Sequence, residues 1–153
     1  MRRPTILLVE DNRDHAELTR RALERADIEY ELEVRADGES ALRYLFGEEG
    51  TGGEGAIVDL VLLDYHLPGL NGGDVLKHIR ASSRMRNTPV VVLSTSARPE
   101  EMKESYRLGA NSYLTKPAEW AVFQAVIRRL AEYWTQRARM PEEAPTRDAP
   151  DRP

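Results

Sequence analysis

Cysteine is absent from this sequence, which excludes disulfides, thiolate zinc sites and cysteine nucleophiles, so any nucleophile must be oxygen or nitrogen. The absence fits a reducing compartment. Long apolar runs are missing as well: none approaches the roughly 18 residues that a membrane-spanning helix requires. The N-terminal MRRPTILLVED offers a short apolar run before two carboxylates interrupt it, too little for a signal peptide. A cytoplasmic protein with no membrane contact is expected. Excess positive charge is lacking too, because 22 basic residues against 26 acidic ones give a net charge of −4. The basic residues are scattered, so nucleic-acid binding has little electrostatic support.

What is present is a chain of 153 residues, enough for one domain, with a regular alternation of strand-like and helix-like runs. Thr5 to Val9 is a continuous apolar run of the kind a buried parallel strand needs, and it stops at Glu10, Asp11 and Asn12. A helix from about Asp14 puts Leu18, Ala22, Leu23 and Ala26 on one face. Glu31 to Ala36 reads as a more polar strand, and Asp37 and Gly38 introduce a short helix carrying Ala41, Leu42, Leu45 and Phe46. Leu60 to Leu63 is a third strand; the turn residues Pro68, Gly69, Asn71 and Gly72 precede a helix with Val75, Leu76 and Ile79 inward. Val90 to Leu93 is the fourth strand. Pro99, Glu100 and Glu101 suit a helix first turn and Gly109 its left-handed end. Ser112 to Thr115 is the fifth strand, and Lys116 and Pro117 lead into a helix reaching about Arg137.

Such alternation implies an α/β fold, a doubly wound five-stranded parallel sheet of order 2-1-3-4-5 in a flavodoxin-like three-layer sandwich. The domain is expected over residues 1–139, with 140–153, rich in proline and charge, a disordered tail and no output domain. Gly47 to Gly55, with half of the ten glycines, is expected to be a flexible loop. It contains a literal G-x-G-x-x-G at Gly50, Gly52 and Gly55. That run precedes a strand instead of joining a strand to a helix, so it presents no helix N-terminus to a pyrophosphate.

In an open parallel sheet ligands bind beyond the carboxyl ends of the strands. Those ends carry Glu10 and Asp11, then Asp64, then Ser94 and Thr95, then Thr115 and Lys116. Three carboxylates in one crevice repel, each pair by about 3 kcal/mol at ~5 Å and an effective dielectric near 20. Lys116 supplies one compensating charge, and a divalent cation would neutralise the remainder. Oxygen ligands without His or Cys favour a hard ion, and Mg²⁺ over Ca²⁺ where few carboxylates leave room for water and phosphate oxygens. A buried structural ion-pair cluster is the bland alternative. A central carboxylate, a metal, a hydroxyl and a lysine together suit phosphoryl transfer, with Asp64 as nucleophile, Lys116 and the metal on the equatorial oxygens, and Ser94 donating a hydrogen bond.

The runs ILLVEDN, VLLDYHLPGLNG, PVVVLSTS and GANSYLTKP, in this order, resemble the receiver domain of bacterial two-component response regulators from Thr5 to about Trp134. The resemblance implies that Asp64 is the phosphoacceptor and that Asp11, Asp64 and the backbone carbonyl of His66 hold Mg²⁺, with Glu10 supporting the ion. It makes Ser94 the switch hydroxyl, Lys116 the phosphate-binding lysine with a cis bond to Pro117, and Tyr113 the aromatic switch. His66 occupies a position that tunes dephosphorylation. The segments LSTS, YRLGANSYLTKP and EYW look closest to stand-alone regulators paired with phytochrome histidine kinases. The implied partner is a sensor histidine kinase, a bacteriophytochrome, and the chain is expected to catalyse only its own phosphorylation and dephosphorylation.

Along the last helix, Trp120, Phe123, Ile127, Leu130 and Trp134 follow helical spacing, with Val122, Val126 and Tyr133 on a neighbouring stripe. This surplus of apolar residues suggests a homodimer through the helix 4, strand 5, helix 5 face. His15, His66 and His78 show no metal spacing, and at least two are expected on solvated surfaces. Asp59 reads as a solvent-side residue at the start of strand three. A haloacid-dehalogenase-type phosphatase is the main rival, but it places D-x-D after its first strand, where this chain has adjacent Glu10 and Asp11. A flavodoxin-like flavin carrier would want hydroxyl and glycine there instead of acid.

Overall fold

The continuous apolar runs become the centre of a parallel sheet. In the computed structural model, which describes residues 2–47, 55–117 and 119–141, the strands are β1 (Thr5–Val9), β2 (Glu31–Arg35), β3 (Leu60–Asp64), β4 (Val90–Ser94) and β5 (Ser112–Thr115). They pair in the order β2-β1-β3-β4-β5, all parallel, as the alternation requires. The helices are α1 (Arg13–Glu24), α2 (Gly38–Phe46), α3 (Gly72–Ala81), α4 (Pro99–Arg107) and α5 (Trp120–Glu132), the last continuing through a π turn, Tyr133–Arg137. Most of the glycine-rich stretch and of the C-terminal tail lies outside the described residues.

Period-2 alternation sends Leu7, Val9, Val61, Leu63 and Val92 to one face, where Ala41 and Leu45 of α2 and Val75, Leu76 and Ile79 of α3 cover them. Ile6, Leu8, Leu60, Leu62, Val91 and Leu93 face the other side, under Ala22 and Leu23 of α1 and Phe123, Ile127 and Ala131 of α5. Each such side chain contributes about 1.5–3 kcal/mol on burial. Two or three of them therefore offset one repelling carboxylate pair, and the core can hold an unfavourable charge cluster at its edge.

This packing bears on which α5 residues a dimer could use. Trp120, Phe123, Ile127, Leu130 and Trp134 all lie in or against the second core cluster, and Phe123 and Ile127 are wholly buried. The sheet face beneath α5 is apolar along its whole length and takes up the stripe that looked surplus. Val122 and Tyr133, each 51% exposed, are the apolar groups of this helical segment left to solvent, so pairing of two copies along α5 would have to use them.

Capping explains where the helices begin. Asn12 accepts from the His15 backbone N–H, Asp37 from Ser40, and Asn71 forms a reciprocal capping box with Asp74. Gly109 follows the C-cap of α4 at φ +108°, the left-handed end the sequence implies. Asp59 binds Arg2 and the Thr5 backbone N–H at 2.7 Å, fastening the start of β3 to that of β1.

Candidate functional site

Parallel register places the ends of the central strands side by side. Val9 pairs with Leu63, Asp64 with Leu93 and Ser94 with Thr115, so Glu10, Asp64, Ser94 and Lys116 emerge along one edge. Gly72 opens α3 immediately behind Asp64: a Cβ there would fall 2.5 Å from the Asp64 carbonyl oxygen and 2.7 Å from Tyr65 Cα. No larger residue lets this helix end approach the end of β3 so closely.

Ligand oxygens of Glu10, Asp11 and Asp64 all lie within 4.8 Å of one another. Glu10 and Asp64 are buried while Asp11 faces solvent, which leaves the cluster one open side. Lys116 Nζ lies 2.6 Å from Glu10 Oε1 and 3.5 Å from Asp64 Oδ2, with its own side chain 2% exposed. The His66 backbone N–H donates to Asp64 Oδ1 at 3.3 Å, wrapping the following loop around the carboxylate.

The charges are incompletely balanced. Burial pushes the Asp64 carboxyl up to about 7, and the neighbouring Glu10 adds to the rise; Lys116 and the His66 N–H oppose it. Lys116 beside it does not bring this carboxyl back to its ordinary range. An all-oxygen donor set, partly exposed and short of cation, fits a hard divalent ion; this supports the reading of a metal site over that of a closed ion-pair cluster.

Ser94 is wholly buried, and its Oγ accepts from the Ser96 N–H at 3.0 Å. The Tyr113 hydroxyl oxygen lies 2.7 Å from both the Ser96 carbonyl oxygen and Glu101 Oε2, which share its one proton, so Tyr113 is tied to the segment after Ser94 and does more than fill the edge of the sheet. The Lys116–Pro117 bond is trans, against expectation, and trans is the lower-energy isomer of an X–Pro bond.

Two residues of the site escaped the sequence. His15 Nδ1 lies 3.1 Å from Lys116 Nζ, and its ring meets Trp120 at 4.8 Å. Burial and Lys116 hold this imidazole below its usual range, so it sits neutral beside the ammonium. Its signal was its place in the first turn after the Asp11 segment. Glu101 was read as a first-turn acid of α4, but its carboxylate turns inward to Tyr113 and His66. His66 and His78 are exposed, as expected of two histidines.

The sequence profile of the response regulator receiver domain matches residues 6–128. The chain belongs to that family. A probable methanogenesis regulatory protein, FilR2 of Methanothrix harundinacea, is 41% identical over 139 residues, 91% of this chain and 88% of that protein. Response regulator Rcp1 of Synechocystis sp. is 32% identical over 136 residues, 89% of this chain and 92% of Rcp1. The Mn²⁺-bound structure of Rcp1 superposes with a TM-score of 0.82 at 30% identity, covering 91% of this chain and 99% of that one. The phosphorylated cyanobacterial phytochrome response regulator RcpA superposes with a TM-score of 0.84 at 33% identity, covering 92% of this receiver and all of RcpA. This chain is thus a receiver-domain response regulator, and phosphoryl acceptance from a kinase is the function its family entails. Among the described residues no helix is long and apolar enough to cross a membrane.

Proposed function

We propose that Asp64 is the phosphoacceptor of this receiver and that a sensor histidine kinase of the bacteriophytochrome type supplies the phosphoryl group. The observation that carries the site assignment is the convergence of Glu10, Asp11 and Asp64 within 4.8 Å, with Lys116 laid across two of them. The partner class is supported by RcpA, a phytochrome response regulator, and by the match over nearly the whole of both chains. Residues 1–139 form the signalling unit on this reading.

An Asp64 carboxylate oxygen attacks the phosphorus of a phosphohistidine; the new P–O bond forms as the P–N bond breaks, and the leaving imidazole takes a proton. Lys116 shifts from Glu10 toward an incoming phosphoryl oxygen, Ser94 donates its hydroxyl to another, and the His66 N–H steadies the Asp64 carboxylate. Glu10, Asp11, Asp64 and the His66 carbonyl would hold Mg²⁺, which when bound supplies charge neutralisation at the equatorial oxygens. Chemistry is confined to the protein's own phosphorylation and dephosphorylation. Acetyl phosphate with Mg²⁺ tests the reading: one acid-stable, base-labile phosphoryl group should accumulate per chain, whereas fast hydrolysis of added phosphomonoesters with little label retained would indicate the phosphatase instead.

Metal affinity should depend on pH through Asp64. Below its pKa of about 7 the ion must displace a proton from this carboxyl, and above it no proton is displaced. Mg²⁺ affinity, followed by the fluorescence of Trp120 against His15, should therefore rise up to about tenfold per pH unit below 7 and level off above it. Asp11→Ala should lose Mg²⁺ dependence and phosphoryl acceptance together. A flat pH profile would remove Asp64 from the ligand set.

A further inference from the structure

Two positions that the sequence marks separately, the residue beyond the phosphoacceptor and the aromatic of β5, meet on a third that it does not mark. Glu101 Oε1 lies 2.7 Å from His66 Nε2, and Glu101 Oε2 accepts from the Tyr113 hydroxyl at 2.7 Å. Glu101 is 7% exposed, yet it stands in the first turn of α4, where the helix dipole favours negative charge. Its two carboxylate oxygens serve two separate elements: the loop after β3 and strand β5. The third tie, from the Tyr113 hydroxyl to the Ser96 carbonyl oxygen, adds the segment that follows the switch hydroxyl Ser94. A rigid planar group bonded at both ends to different elements transmits a displacement of one to the other.

We propose that Glu101 is a positioning residue that joins the loop beyond the phosphoacceptor to the switch tyrosine, so that a change at His66 reaches the α4–β5 surface through one buried carboxylate. The assignment rests on the receiver reading of Asp64. It is specific to this side-chain set, since it needs a hydrogen-bonding ring at position 66, a carboxylate at 101 and a phenol at 113. Losing Glu101 leaves Tyr113 one acceptor, Ser96, so the ring is loosened rather than released.

The test uses the full chain with beryllofluoride and Mg²⁺ as the phosphoryl probe, reading the Tyr113 ring resonances by NMR, assigned through Tyr113→Phe. Glu101→Gln should change beryllofluoride binding about threefold to tenfold, because Tyr113 loses one of its two partners and the linkage is reciprocal, and unchanged binding would count against the coupling. His66→Ala should move the Tyr113 resonances in the parent chain and leave them in place in the Glu101→Gln background. Glu101→Ala, with its thermal midpoint read alongside, repeats the comparison in case glutamine re-forms one of the bonds. The proposal is overturned if His66→Ala leaves Tyr113 unmoved in the parent, or moves it equally in both backgrounds. Acetyl phosphate labelling of the parent reports separately on Asp64, so failure of the receiver reading shows as loss of label and not as loss of communication.

Discussion

Asp64→Asn is expected to abolish phosphoryl labelling and at the same time to make the metal-free protein more stable. The first effect follows from chemistry: the amide is no nucleophile, and no other carboxylate of the cluster takes its place between Lys116 and the His66 N–H. The second follows from linkage. The native carboxyl titrates at about 7 against an ordinary 3.8, so the folded chain binds the extra proton between those values and stability falls as pH rises through that window. Above pH 7 the whole penalty is present. Asparagine removes it, and a gain on the order of 2 kcal/mol at pH 8, shrinking toward pH 4, should appear in denaturant unfolding. Mg²⁺ should then stabilise the variant less than the parent, because one ligand charge is gone. Base-labile label on the Asp64→Asn chain would place the acceptor elsewhere, and equal stabilities at pH 8 would mean that Asp64 carries no electrostatic strain.

Lys116→Ala should have the opposite effect on stability. Lys116 is 2% exposed at its side chain and pairs with Glu10, itself wholly buried. Removing the ammonium leaves buried carboxylates facing each other, a change that costs about 3–5 kcal/mol where no compensation is available. Compensation exists here, because Lys116 is one of the groups that holds the Asp64 carboxyl down. Without it that carboxyl takes a proton more readily, so the loss should be largest near pH 8 and smaller near pH 6, and Mg²⁺ should restore part of it. Some phosphorylation should survive, since Asp64 and its metal ligands remain, but no surface change at Tyr113 should follow. Thermal unfolding at two pH values, with and without Mg²⁺, separates this from a simple packing defect, which would show no pH dependence.

Much of the architecture was legible because a parallel sheet buried on both faces leaves a plain record. The runs TILLV, LVLL and VVVL are apolar without interruption or nearly so, and each stops at a residue with chemistry. Strand limits shifted by one residue where Asp64 and Ser94 still pair in the sheet. Helix starts were legible through Asn12, Asp37 and Asn71, whose side chains cap backbone N–H groups a few residues away. How much of the α5 stripe the core takes up was not legible, because periodicity counts apolar residues but cannot measure the area of the face they must cover.

The sequence by itself determined the fold, its strand order and the gathering of Glu10, Asp11, Asp64, Ser94 and Lys116 at one edge, because each is written in local pattern and strand ends need no long-range knowledge. Tertiary structure alone decided that Lys116 rests on Glu10, that His15 and Trp120 stand beside it, and that Glu101 joins His66 to Tyr113. Those contacts link segments distant in the chain through side-chain direction and burial, and neither leaves a periodic trace in the order of residues.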